Sequence, residues 1–192
     1  MHFITLILGT VLLNQAYSLE CHCSQGSVCT NSKIECPSGQ SCSSERHVSY
    51  SDGSKMSDVN LKGCALPERC VNRSMNLGVV QTLISSSCCT TKLCNSANAP
   101  EPVQSQRNGK SCFSCVGQTC TSSLACTGNQ EFCYSASVTV DGQPIPVRGC
   151  VPKEMCQGHS SCCEGDLCNS ASSTSAGLLL LMAPLLSLGL LS

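Results

Sequence analysis

Cysteine is the residue through which this chain could do chemistry, and there are twenty of them. Cys21-His22-Cys23 sets two thiols and an imidazole within three residues, and those are zinc donors. Zinc takes thiolates, however, and thiols that pass through a secretory compartment are oxidised to disulfides. The other candidates for chemistry are His47, His159 and an abundance of serine. A catalytic histidine needs a nucleophile and a group that orients it. Neither histidine has an obvious orienting partner in sequence, and neither a Gly-x-Ser-x-Gly elbow nor a His-Glu-x-x-His pair is present. Serine here reads as turn and surface material. No catalytic residue, cofactor or metal is expected. Asn72-Arg73-Ser74 is the one intact N-glycosylation acceptor, and Asn72 is expected to carry a glycan.

The oxidising compartment is argued from the two ends. Residues 1–18 form a short apolar run closing on Ala16-Tyr17-Ser18, which reads as a cleaved signal peptide. The run is too short to span a bilayer, which takes about 20 apolar residues. Residues 177–192 are apolar again, rich in leucine and followed by no Lys or Arg. That tail fits a GPI-attachment signal better than a plain hydrophobic tail helix, which would be longer and carry basic residues beyond it. Asn169 and Ser170 are the attachment candidates, with 170–192 as the propeptide. The spacer 172–176 is shorter than the usual ~8–12 residues, so both candidates stand.

Between the ends, the cysteines fall into two sets of ten. Each set closes on one phrase: Ser-Ser-Cys-Cys-Thr-Thr-Lys-Leu-Cys-Asn-Ser-Ala at 86–97 and Ser-Ser-Cys-Cys-Glu-Gly-Asp-Leu-Cys-Asn-Ser-Ala at 160–171. Lys62-Gly63-Cys64 answers Arg148-Gly149-Cys150, and a further cysteine follows six residues later at Cys70 and Cys156. The chain is a tandem duplication, with domains at 19–96 and 111–169. Residues 97–110, with two prolines and no apolar period, read as a linker that leaves the domains free to swing unless their faces pack.

Each repeat is poor in core material. The chain has no Trp, and the segment after the leader has four aromatic residues: Tyr50, Phe113, Phe132 and Tyr134. Units below about 80 residues rarely bury enough apolar surface to offset chain entropy, so cross-links must hold the fold. Charge is near balance, with a formal net charge of -1. No basic stripe exists, which excludes a nucleic-acid binder and long-range steering as a major device. Local signals are strands. Asp52-Gly53 and Asp141-Gly142 each interrupt β-favouring residues between the fifth and sixth cysteines of their repeat, the signature of a tight hairpin. No segment has convincing helical periodicity.

Ten cysteines in this order, the Gly-Cys step and the closing Cys-Cys-x-x-x-Leu-Cys-Asn, all found twice, resemble the three-finger family of the lymphocyte antigen six proteins and the urokinase receptor. The resemblance implies an all-β, small disulfide-rich fold of two tandem three-finger (snake-toxin-like) domains. It implies the pairs Cys21–Cys42, Cys23–Cys29, Cys36–Cys64, Cys70–Cys88 and Cys89–Cys94. In the second repeat it implies Cys112–Cys133, Cys115–Cys120, Cys126–Cys150, Cys156–Cys162 and Cys163–Cys168. Sequence alone does not choose this connectivity, although neighbours such as Cys88 and Cys89 point differently in an extended chain and suit separate partners. The first repeat departs from the family in Cys-His-Cys and in His22, which replaces the aromatic kept as Phe113. Its third finger, 71–87, is long, whereas that of the second repeat is cut to 157–161. The urokinase receptor has three domains; this chain has two.

The apolar tail together with the recognition-type scaffold implies a GPI-anchored protein on the extracellular face of the plasma membrane, with shed or secreted material as its soluble form. It would recognise an extracellular or cell-surface protein through finger loops or sheet faces. The alternative is a secreted two-domain inhibitor of phospholipase or protease type. Candidate contact residues are Tyr50, Asp52 and Lys55 at one second-finger turn, Asp141 and Gln143 at the other, and Met75 and Leu77 near the tip of the long third finger. The apolar run 77–84 reads mainly as a strand of the central sheet.

Overall fold

The computed structural model describes residues 18–24, 29–156 and 161–170. The leader, the apolar tail, His159 and most of the short finger at 157–161 lie outside the described residues.

Strands account for nearly all regular structure. In the first repeat they are β1 (Leu19–His22), β2 (Lys33–Cys36), β3 (Ser41–Ser51), β4 (Ser54–Ala65), β5 (Arg73–Asn76) and β6 (Val80–Cys89). In the second they are β7 (Arg107–Val116), β8 (Thr119–Thr127), β9 (Phe132–Val140), β10 (Gln143–Val151) and β11 (Cys162–Glu164). Successive strands pair antiparallel as fingers: β1 with β2, β3 with β4, β7 with β8 and β9 with β10. Two short 3-10 turns, Pro67–Arg69 and Lys153–Met155, follow β4 and β10. Nothing periodic announces them; the nearby prolines were the only local signal.

Both Asp-Gly pairs form the turns expected of them. Asp52 and Gly53 have φ 48° and 76°, and Asp141 and Gly142 have 49° and 78°. Two successive positive φ values make the turn whose twist matches that of the flanking strands. The closing phrases hold a less obvious feature. Leu93 and Leu167 also have positive φ, 53° and 55°, a region costly for a bulky side chain. Each leucine N–H donates to a carbonyl of its repeat's first strand, Leu93 to Glu20 at 2.7 Å and Leu167 to Ser111 at 2.8 Å. Each lies inside a short disulfide loop, Cys89–Cys94 or Cys163–Cys168. The cross-link and the hydrogen bond together hold the strained residue in place.

The core is sulfur. In the first repeat Cys21, Cys36 and Cys42 are buried, with Leu19 and Ile34 against them. In the second, Cys112, Cys126, Cys133 and Cys150 are buried, with Leu124 beside them. Ten bridges join Cys21–Cys42, Cys23–Cys29, Cys36–Cys64, Cys70–Cys88, Cys89–Cys94, Cys112–Cys133, Cys115–Cys120, Cys126–Cys150, Cys156–Cys162 and Cys163–Cys168. Each disulfide stabilises chiefly by restricting the unfolded chain, by roughly 2–4 kcal/mol.

One asparagine completes each knot. Asn95 Oδ1 accepts from His22 N at 2.9 Å, and its Nδ2 donates to His22 O at 2.9 Å and Ser43 O at 2.8 Å. Asn169 repeats this with Phe113 N at 2.8 Å, Phe113 O at 3.0 Å and Tyr134 O at 2.8 Å. One carboxamide therefore ties the base of the first finger to the base of the second.

By contacts the described chain divides into two compact units. The first holds the residues up to Arg73 plus Thr82–Val103; the second holds Ser74–Gln81 and the residues from Gln104 onward. In the first unit β3 lies between β4 and β6. In the second, β9 lies between β11 and β10, and the outer side of β10 meets β5, with Cys150 opposite Asn76. The unit boundaries thus depart from the sequence repeats at Ser74–Gln81. The segment read as a linker also differs from expectation. Ala99 and Pro102 are buried, Ser44 Oγ donates to Ala97 O at 2.8 Å, and Ser85 Oγ donates to Pro100 O. Strand β7 begins at Arg107, inside the expected 97–110. The prolines mark an extended path, and hydroxyl groups of the first unit hold its early part.

Candidate functional site

The candidate site is a surface borne by rigid fingers, so the geometry that matters is which side chains each tip presents. In the first unit Asp52 is exposed at its turn and Tyr50 is half-buried. Lys55, across the strand pair from Tyr50, is committed elsewhere. Its Nζ donates to Asp58 Oδ2 at 3.0 Å and to Glu101 Oε1 at 2.8 Å. Arg46 donates to both oxygens of Asp58, at 2.8 and 2.7 Å, and lies 3.5 Å from Glu101. Arg46 and Lys55 thus clasp Glu101 onto the second finger.

The hydrogen bond from Arg46, followed by that from Lys55, holds the Asp58 carboxyl far below the usual carboxylate range. The bond from Lys55 likewise lowers that of Glu101. The group is solvent-accessible, so salt screens it. A carboxyl whose folded pKa is depressed stabilises above its unfolded pKa, about 4, and that contribution is lost as pH falls below it. Asp58→Asn is therefore expected to melt below wild type at pH 7. The gap should narrow as pH falls below about 4 and as salt is added, followed by thermal denaturation of both proteins. A gap that widens in acid would contradict the network.

His47 differs from expectation. Its Nε2 lies 2.8 Å from Glu45 Oε2, and Arg73 donates to Glu45 Oε1 at 2.7 Å. The partner sits two residues away on the same face of β3, a spacing the sequence offered and motif matching overlooked. Buried Arg73 forms a structural ion pair with Glu45, and His47 rests against the other oxygen of the same carboxylate.

Met75 and Leu77 also differ from the expected free patch. Both are half-buried in the second unit. Ser74 beside them accepts a hydrogen bond at 3.0 Å from Nε2 of Gln130, whose side chain is fully buried. Residues 77–79 form a turn, closed by Leu77 N–H donating to Val80 O at 2.9 Å. The strand expected over 77–84 starts only at Val80, and Thr82 and Leu83 are its buried members.

In the second unit Asp141 and Gln143 are exposed at the tip of the β9–β10 hairpin. Behind them lie Val138 and Val140, 46% and 48% exposed. They are two residues apart and share a face, with Ile145 and Gln143 opposite them. These valines were missed in the sequence, although the Val-Thr-Val alternation was their signal. Asp141, Gln143, Val138 and Val140 are brought together; Tyr50, Asp52 and Lys55 also share one hairpin end, but the Lys55 ammonium is engaged by Asp58 and Glu101.

Among the described residues the potential metal-donor clusters are Cys21, Cys36 and Cys64, and Cys112, Cys126 and Cys150. All six are in disulfides, so none is a thiolate. Asn72 is exposed, and its Oδ1 accepts from Ser86 N at 3.0 Å. Asn169, an attachment candidate, is buried by its three hydrogen bonds, and Ser170 beside it is exposed.

Two disulfide-knotted domains that present β-hairpin fingers define a tandem three-finger protein. The u-PAR/Ly-6 domain profile matches twice, at residues 18–97 and 108–171. The chain belongs to the u-PAR/Ly-6 family. Among solved structures, the crystal structure of mouse TEX101 is 19% identical, with a TM-score of 0.32, and the match covers 69% of this chain and 84% of that one.

Proposed function

We propose that this chain is a GPI-anchored cell-surface protein that recognises a protein partner through its finger tips. Membership of a family of extracellular binding domains supports the coarse reading. The observation that carries the finer one is the β9–β10 tip. Exposed apolar Val138 and Val140 stand beside polar Asp141 and Gln143, on a hairpin anchored at its base by Cys133 and Cys150. A rigid tip with mixed apolar and polar groups binds at low ordering cost.

The anchoring is tested on cells. Phosphatidylinositol-specific phospholipase C is expected to release the protein into the medium, and protein that stays on the cells after effective treatment sinks the anchored form. Recognition is tested by proximity labelling with the intact protein, then repeated with Val138→Asp/Val140→Asp. Loss of the labelled partner is expected, and an unchanged partner would move the site off this tip.

Glycosylation of Asn72 belongs to the same reading. The glycan bonds to Nδ2, leaving Oδ1 to accept from Ser86 N. Asn72→Gln is expected to remove one glycan's mass, the same shift that peptide-N-glycosidase produces on the wild type. Equal masses for the mutant and wild-type proteins would rule it out.

A further inference from the structure

The duplication allows each site in one unit to be compared with its sister. At Gly149 of the second unit, Asn76 and Leu77 lie against the sheet. A Cβ built there would collide with the Asn76 carbonyl oxygen and come 2.7 Å from Leu77 Cα. Strand β10 is therefore bare at Gly149 so that the backbone of another segment can rest on it. The sister position is Gly63, in Lys62-Gly63-Cys64. A Cβ there meets nothing within 4 Å.

The open position sits over a hollow. Ser43, Glu45, Leu61 and Ala65 share its face, because Gly63 is opposite Ser43 and Glu45 is opposite Leu61. With Arg69 they line a cavity of about 170 Å³. Strand β4 is also the sheet edge in its unit. Lys62 directs its backbone groups outward, where Ser24 bonds both its N–H and its C=O. Cys64, two residues on, faces the same edge, and among the described residues nothing pairs with it there.

We propose that the hollow over Gly63 is a docking seat for the third-finger tip of a partner three-finger domain, entering backbone first. This rests on the binding-protein reading and names one surface and one class of partner for it. The sister seat points to the occupant, because a third-finger segment, Ser74–Gln81, rests on Gly149 within the second unit. The rim sets the chemistry of the incoming tip. Arg69 stands where the second unit has Met155, and Glu45, already bonded to Arg73 and His47, where it has Ala136; the rim is polar, so the tip carries polar side chains in place of Met75 and Leu77.

The test uses the disulfide-intact ectodomain. The probe is a peptide of residues 70–88, closed by its Cys70–Cys88 bridge and carrying Met75→Ser and Leu77→Ser. Saturable binding with amide-exchange protection at Leu61–Ala65 is expected. Gly63→Val, which projects into the hollow from a position where a Cβ meets nothing within 4 Å, is expected to weaken binding by about tenfold or more while leaving the melting temperature unchanged. Absence of saturable binding, or equal binding to Gly63→Val, overturns the seat. A native partner held equally by wild type and Gly63→Val would overturn this seat too, yet leave the binding-protein reading standing.

Discussion

Gly149→Val is expected to cost the ectodomain about 3 kcal/mol or more, whereas Gly63→Val costs within about 0.5 kcal/mol. The two glycines occupy the same place in a duplicated motif, so composition and local propensity predict equal effects. Neither has the positive φ that would by itself demand glycine. What differs is the neighbour. At Gly149 the new side chain meets backbone, the Asn76 carbonyl and Leu77 Cα, and backbone cannot rotate aside as a side chain can. Relief requires Ser74–Gln81 to lift from β10. That breaks the pairing of Asn76 with Cys150 and strips fully buried Gln130 of its Ser74 partner. A buried amide that loses its partner adds about 1–3 kcal/mol to the steric cost. Denaturant unfolding of both variants measures the difference, and amide exchange locates it at 74–81. Equal destabilisation by the two substitutions would mean that Asn76 and Leu77 do not rest on Gly149.

What could be read in advance follows from which features are local. The hairpins at Asp52-Gly53 and Asp141-Gly142 were legible because a tight turn needs two positive φ values and the pair supplies them. The duplicated knot was legible because cysteine order survives where side-chain packing leaves no pattern. The strained Leu93 and Leu167 were not legible, since leucine has no preference for that backbone region and only the closed disulfide loop imposes it. The tie between Ser74 and Gln130 was equally hidden, because it joins residues far apart in sequence through neutral polar groups. Met75 and Leu77 illustrate the limit for the site. An apolar tip reads the same whether it awaits a partner or is already covered, and only tertiary contacts decide. Val138 and Val140 show the reverse: alternation marked a strand with one apolar face, but not that this face stays in solvent.

Asn169→Ala, and Asn95→Ala in the other repeat, are each expected to cost about 3 kcal/mol. The carboxamide makes three hydrogen bonds, each contributing about 1 kcal/mol net, and truncation leaves an N–H and two carbonyls without partners. Chemistry as well as shape is tested by Asn169→Asp, which keeps the volume and the acceptor for Phe113 N. Its second oxygen would face the carbonyls of Phe113 and Tyr134, to which Nδ2 now donates. Burial and those carbonyls favour the neutral acid, so the folded pKa of the new carboxyl rises above its unfolded value. A raised carboxyl pKa penalises the fold once pH exceeds the unfolded value, so the deficit should be larger at pH 7 than at pH 4. Ser170→Ala, at an exposed neighbour, is the control and should change stability by less than about 0.5 kcal/mol. Guanidinium unfolding of the disulfide-intact ectodomain at both pH values reads all four variants. The two alanine costs should add, since the asparagines share no partner. Near-neutral alanine variants would show that the disulfides alone hold the finger bases together. A deficit of Asn169→Asp that did not change with pH would show that the new carboxyl reaches water, and that the amide at this position is not the closed lock the three hydrogen bonds describe.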